Sequence, residues 1–346
     1  VVELMERLAQ APGVSGDEGS VRSIIEQELE GICTLETDAL GNLIAFKKGK
    51  EASSQKLMLA AHMDEVGFLV TYVEDSGMLR FTAVGGIDER VVIGRPVLVG
   101  RNRVAGVIGT KAVHMQTAAE KEKVCKLDEL YIDIGAASKA EAQRMVSLGD
   151  SVVFASDFVR FGDGFVKSKA LDDRAGCAVL VALAKRELRY DTYFVFTVQE
   201  EIGSRGAKTA AFAIDPDAAI VVDVTTAADV GGVSKDKQVC LAGKGPVLSF
   251  MDRATSYDRR SYQAVQCLAK EKGIPCQVKM GVYGGNDAGS IHVSRSGVRT
   301  LAVSLPGRYI HSAACVLKLS DAEDTVRLLQ AAIEQMDAVF DASFQC

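Results

Sequence analysis

An apolar run that ends in two adjacent carboxylates constrains this chain more than any other feature. Residues 193–198, Tyr-Phe-Val-Phe-Thr-Val, are aromatic and β-branched and read as a buried strand. Gln199 leads into Glu200 and Glu201, and Ile-Gly-Ser-Arg-Gly then turns the chain into a helix. An apolar strand cannot solvate charges beside it. The two glutamates are therefore either a solvated strand end or parts of a charged site. Successive strand residues face opposite ways, so both can join one site only if the strand has ended before them. Ile202-Gly203 is consistent with such a turn.

The rest of the chain sets the frame. Helical spacing appears over 2–9 and 18–29, and a hairpin is expected around Gly41-Asn42. A short apolar strand over 55–61 runs into His62-Met-Asp64. Between about 67 and 162 the texture changes to short alternating strands, over 68–73, 79–84, 96–99, 104–109, 130–134 and 151–154. Beyond 162, helices over 172–188, 207–212, 257–272 and 287–293 alternate with strands over 193–198, 219–223, 276–280 and 300–304. The last helix is expected from Ser320 to about Phe340, with Ser320 and Glu323 forming a capping box. Alternation of this kind implies an α/β fold, with a mostly parallel mixed sheet sandwiched by helices. The β-rich stretch 67–162 then interrupts a discontinuous α/β domain made of 1–66 and 163–346.

Composition removes several function classes. With 346 residues and 48% hydrophobic content, the chain can build a substantial core. A net charge of −6 argues against nucleic-acid binding. No apolar run approaches a membrane span. The acidic, amphipathic start is not a signal peptide, and no initiator Met precedes it, as after trimming; the expected compartment is the cytoplasm. The eight scattered cysteines form no C-x-x-C pair and are expected to be reduced.

Polar residues at the strand exits then form a set. His62 and Asp64 follow the first α/β strand, Asp172 and Asp173 open a helix, and Glu200 and Glu201 follow the central strand. Asp223 ends another strand, and His311 lies beyond the last. Strand exits of a parallel sheet converge on one edge. Each member has a plainer reading alone: a strand end, a helix cap at Asp172, a packed histidine. Together, several carboxylates in one cleft need compensating positive charge. Two histidines with several carboxylates suit zinc, cobalt or manganese. One carboxylate can bridge two ions, an uncoordinated one can act as general base, and Asp64 can orient the His62 ring.

With these residues in hand, the sequence resembles the tetrahedral (TET) aminopeptidase family of dinuclear metallopeptidases, which includes glutamyl and deblocking aminopeptidases and proteins called cellulase M. The resemblance runs through Ala-Pro-Gly-Val-Ser-Gly at 11–16, Ala-His-Met-Asp-Glu-Val-Gly-Phe at 61–68 and Lys-Ala-Leu-Asp-Asp-Arg-Ala-Gly at 169–176. It continues through Val-Gln-Glu-Glu-Ile-Gly-Ser-Arg-Gly-Ala at 198–207, Gly-Gly-Asn-Asp-Ala at 284–288 and Arg-Tyr-Ile-His-Ser at 308–312. It implies a zinc-exopeptidase-like fold with two divalent ions per subunit, zinc or cobalt foremost. His62 and Asp223 would be ligands of one ion, Glu201 and His311 of the other, with Asp172 bridging. Glu200 would be the general base and Asp64 the partner of His62. The β-rich insert would be a PDZ-like dimerisation domain of a homododecamer acting on peptides with a free N-terminus. Asn286 departs from the family's common Thr and bears only on local substrate contacts. The resemblance leaves the preferred N-terminal residue open. Arg253 and Arg259 lie where a substrate side chain would be read, but a solvated helix approach suits them better; His292 reads as structural, and His114 as facing solvent or a subunit contact. The alternatives are an endo-glucanase, which needs two carboxylates flanking a glycosidic bond and no metal, and a non-catalytic assembly protein.

Overall fold

The computed structural model describes residues 1–51 and 55–340. An eight-stranded mixed sheet forms its centre. Its spatial order is Thr34–Thr37, Leu43–Lys47, Thr192–Thr197, Leu57–His62, Ala218–Thr226, Arg299–Gly307, Val247–Leu248 and Gln277–Val278. The four middle strands, from Thr192–Thr197 to Arg299–Gly307, are mutually parallel. All six residues of Leu57–His62 are buried, as expected where both faces of a parallel strand are covered.

Alternation along Ala218–Thr226 shows how the faces are used. Ala218, Ile220, Val222 and Val224 join the larger core with the helices Val2–Gln10, Leu171–Ala184 and Leu319–Glu334. Ala219 and Val221 face the opposite core, with the helices Arg205–Ile214 and Ala288–Ile291. Burial of each large apolar side chain here contributes about 1.5–3 kcal/mol.

The strands Gly67–Val73, Leu79–Val84, Tyr131–Asp133, Val104–Gly109, Pro96–Val99 and Ser151–Phe154 close, in that spatial order, into a barrel. Its own core is built around Phe68, whose ring meets Phe81 and Phe154 edge-on at 5.0 and 5.4 Å. The expected boundary at 162/163 falls in the turn of a further hairpin. Val159–Phe161 pairs with Phe165–Ser168, which pairs with Cys315–Lys318. None of these three strands was anticipated: they are short, and Val159–Phe161 is exposed throughout, so it carries no burial period.

Two expectations need correction. The last helix starts at Leu319 with Lys318 at the cap position and no side-chain cap. The Leu319 amide donates to the Gly164 carbonyl at 2.9 Å instead, so the added three-stranded sheet replaces the Ser320–Glu323 capping box. That helix ends at Glu334, and a short helix, Met336–Val339, follows. Cys33, Cys125, Cys177, Cys240, Cys276 and Cys315 are free, but Cys267 is disulfide-bonded. Spacing along a chain carries no record of a bond closed by folding. Cys346 lies outside the described residues.

One buried side chain ties the central strand exit to the edge hairpin. Asn42 accepts from the Val198 amide at 3.0 Å and donates to the Gly206 carbonyl at 3.0 Å, so it grips the chain on both sides of the Glu200–Glu201 turn. Asn42→Ala leaves the Val198 amide buried without its partner, while the Gly206 carbonyl keeps the Thr209 hydroxyl at 3.0 Å. The expected loss is about 1–3 kcal/mol of unfolding free energy, to be read from urea denaturation midpoints at constant m-value.

Candidate metal centre

Four adjacent parallel strands end at one edge of the sheet, and the polar set leaves from their ends. His62 is the last residue of Leu57–His62 and lies opposite Thr197. Val221 pairs with Ala60, so Asp223, two residues on, reaches the level of His62. Glu200 and Glu201 lie just past Thr192–Thr197, and His311 follows Arg299–Gly307. Asp172 enters from the first turn of Leu171–Ala184, where the backbone is not yet helical. The capping role belongs to its neighbour: Asp173 accepts from the Gly176 amide at 3.0 Å and from the His62 amide at 3.3 Å. Asp172 is left free to face the cleft.

Two groups of three donor atoms result, His62–Asp172–Asp223 and Asp172–Glu201–His311, each with its atoms within 4.8 Å of one another. His62 Nε2 lies 3.4 Å from Asp172 Oδ1 and 3.7 Å from Asp223 Oδ1. His311 Nε2 lies 3.6 Å from Asp172 Oδ2 and 3.4 Å from Glu201 Oε2. Asp172 thus turns one oxygen to each histidine. Its Oδ1 is buried with no hydrogen-bond partner among the described residues. An orphaned carboxylate oxygen between two imidazole nitrogens and two further carboxylates is a donor set suited to divalent cations.

The electrostatics point the same way. Burial pushes Glu201 up to about 8, with His311 opposing and Asp172 adding to the rise. Burial likewise raises Glu200 well above the carboxylate range, against the field of His62 and with that of Asp287 and Asp223. Asp223 is raised by burial as well. Burial disfavours a charged His62, yet the facing carboxylates of Asp172, Asp223 and Asp64 carry its pKa well above the usual imidazole value. A cleft whose acids resist ionisation lacks positive charge.

The Glu200–Glu201 turn is held by its backbone. The strand has ended at Thr197, and Gln199 takes a left-handed φ of 58°, which puts the two adjacent glutamates on one site. Three successive amides are then clamped: Gln199 by Glu18 Oε1 at 3.2 Å, Glu200 by Asp64 Oδ1 at 3.0 Å and Glu201 by Asp64 Oδ2 at 3.1 Å. Ser15 Oγ adds a 2.6 Å bond to Asp64 Oδ2. His62 Nδ1 consequently finds the Asp64 main-chain carbonyl at 3.1 Å, nearer than the carboxylate at 3.4 Å. The expected carboxylate–histidine contact is therefore the weaker of two, because that carboxylate is spent on the turn.

Beside the cluster opens a cavity of about 200 Å³. Glu200 reaches it with only a 3.5 Å contact from Ser204 Oγ to its carboxylate. Lys279 and Asn286 form part of the wall, whereas Arg253 and Arg259 do not. His114 sits exposed in the turn Val113–Met115, and His292 Nδ1 packs at 2.8 Å from its own helix carbonyl, Ala288 O. Ser15, Glu18 and Lys279 were not singled out from the sequence: the first two, which hold the turn, lie in and beside the 11–16 motif without metal-ligand character, and Lys279, in the cavity wall, directly follows the two-residue strand Gln277–Val278.

A mixed α/β fold with paired donor triads at its strand exits defines a candidate metal site. The chain belongs to the M42 glutamyl aminopeptidase family, whose model matches residues 41–328. It is therefore a hydrolase of the exopeptidase class. It is 44% identical to a putative aminopeptidase of Acetivibrio thermocellus, over 96% of this chain and 98% of that one. It is 35% identical to the lysyl aminopeptidase of Pyrococcus furiosus, over 96% and 97%. It superposes with a TM-score of 0.85 on the Pyrococcus horikoshii TET1 peptidase, which assembles into a tetrahedron or a large octahedral shell; identity is 35% and coverage 96% and 98%. The glucanase alternative is overturned by the family match. Among the described residues, no helix is long and apolar enough to cross a membrane.

Chelator-treated protein should gain thermal stability when zinc or cobalt is added. Ligand at a hundred times its Kd contributes about 2.7 kcal/mol, read as an upward shift in Tm. Asp172→Asn, which alters the oxygen pair shared by both triads, should remove most of that shift.

Proposed function

We propose that the protein is a dinuclear aminopeptidase that removes N-terminal residues from peptides, with Glu200 as general base. The observation that carries this reading is the sharing of Asp172 between the two triads. His62 and Asp223 would hold one divalent ion, Glu201 and His311 the other, and Asp172 both. Bound there, the ions supply Lewis acidity for a water and for the scissile carbonyl. Zinc or cobalt suits these donors best. Glu200 belongs to neither triad, and its raised carboxylate can take a proton from water and return it to the leaving amine. Asp64 fixes the Glu200 and Glu201 amides and, through its carbonyl, the tautomer of His62.

The cavity favours substrates with an acidic first residue. Lys279 Nζ donates to the Tyr283 carbonyl at 2.7 Å, and no carboxylate lies within 4.0 Å of it among the described residues. An ammonium that is 8% exposed with donors to spare suits a carboxylate side chain. The barrel is read as a PDZ-like self-association module of a homododecamer, in keeping with the assembly of the TET1 relative.

A panel of glutamyl, leucyl and lysyl p-nitroanilides tests the reading on metal-loaded protein. Glu200→Gln should lower kcat on every substrate by roughly 10²–10⁴-fold with metal content unchanged; an active variant removes Glu200 from the role. Lys279→Met should lower kcat/KM for the glutamyl substrate by about 10–100-fold and spare the leucyl one. Equal losses on both would discard the acidic preference alone.

A further inference from the structure

The two histidines of the cluster are oriented by different parts of the molecule. His62 Nδ1 faces a carbonyl two residues along its own segment, at 3.1 Å, and its side chain is 4% exposed. His311 Nδ1 lies 2.7 Å from the carbonyl oxygen of Gly86, in the turn that follows the barrel strand Leu79–Val84. The His311 side chain is 36% exposed and stands on a left-handed backbone, φ 56°. Its loop therefore relies on a contact from the barrel. With Nδ1–H given to Gly86, the lone pair of Nε2 is turned toward Asp172 and Glu201.

Gly85 presses on the other ligand of the same half. Its φ is 81°, and a Cβ there would meet Val66 Cγ1 at 2.8 Å and Glu201 Cβ at 3.2 Å. The seam is apolar beyond this point: Val14, Val84 and Val153 pack together with Ile202, the residue after Glu201. Among the described residues, the His62 half shows no hydrogen bond or ion pair to the barrel.

We propose that the Gly85–Gly86 turn of the barrel is a positioning element for the Asp172–Glu201–His311 half of the cluster, so that one ion position depends on how the barrel is seated and the other does not. The inference rests on the two-ion reading above. Fixing the second nitrogen of a ligating imidazole sets its tautomer and ring plane, and losing that partner costs roughly 10–100-fold in metal affinity.

Gly85→Ala is the direct test. Gly77→Ala is its control: Gly77 has a φ of 90° and a Cβ would meet Ala136 O at 2.5 Å, so it strains the same barrel. It precedes the strand that Gly85 follows, so it lies at the opposite end, roughly 20 Å away. Zinc uptake by the full chain is followed by calorimetry against a competing chelator, with metal content measured independently. The wild type should bind two ions, and Gly85→Ala should weaken one of them by roughly 10–100-fold, while Gly77→Ala binds both as the wild type does. Should Gly85→Ala not fold, the double variant with Val66→Ala removes the 2.8 Å contact and keeps the one to Glu201. Unchanged binding in Gly85→Ala, equal loss of both ions, or equal loss in Gly77→Ala overturns the proposal. A wild type that takes up a single ion overturns the two-ion reading itself.

Discussion

Uncompensated negative charge at one edge of the sheet is the constraint on which the rest of this structure turns. Asp172, Glu200, Glu201, Asp223 and Asp287 gather there, and none has a Lys or Arg within 4.0 Å among the described residues. A neighbouring buried carboxylate shows that the fold can supply such partners. Glu65 is 2% exposed and has Lys169 Nζ at 2.8 Å and Arg174 Nη2 at 3.2 Å. Removing one partner of a buried pair leaves a strongly unfavourable lone charge. The chain matches Glu65 fully and leaves the adjacent cluster unmatched, so cations from outside the chain are the physical complement of that cluster.

The same segments that neutralise Glu65 also build the site. Arg174 donates to the Leu8, Ala11 and Gly13 carbonyls, which fixes the start of the chain beneath the cluster. Ser15 and Glu18 follow directly and reach the Glu200–Glu201 turn through Asp64 and the Gln199 amide. The Glu200–Glu201 turn is thus held by main-chain amides bound to buried carboxylates. A carboxylate receiving amide bonds in a low-dielectric interior is geometrically firm, and that firmness frees the Glu200 side chain from any structural duty.

Much of this was legible in the sequence because it obeys local rules. The strand over 193–198 and the helices on either side follow from periodicity, and strand exits in a parallel sheet converge by topology alone. His62, Asp64, Asp172, Asp173, Glu200, Glu201, Asp223 and His311 could therefore be collected as one set without a structure, and only the resemblance to the TET aminopeptidases singled out five of them as ligands. What could not be read is whatever depends on contacts across the chain. Asp64 looks like a histidine partner from two residues away, and only the fold shows its carboxylate spent on the amides of 200 and 201. Lys279 lies in the expected strand over 276–280, and nothing in that strand's pattern shows that its ammonium meets the cavity wall. The Gly86 carbonyl carries no side-chain signal at all. The Ser320–Glu323 box obeys the local rule and still fails, because a tertiary bond from Leu319 to Gly164 satisfies the helix start first.

The separation of core from cluster also decides what the ions do for the fold. In small zinc domains the ligands are the core, and the apo chain is unfolded. Here the sheet has its own interior: Leu57, Leu59, Phe194, Phe196, Ile220 and Leu301 are all at most 1% exposed and belong to one continuous apolar cluster. The ligands stand beyond the ends of those strands, on segments already fixed by Asn42, Asp64, Asp173 and Gly86. Ions bound there would relieve the charge of an edge whose architecture is supplied by the apolar core.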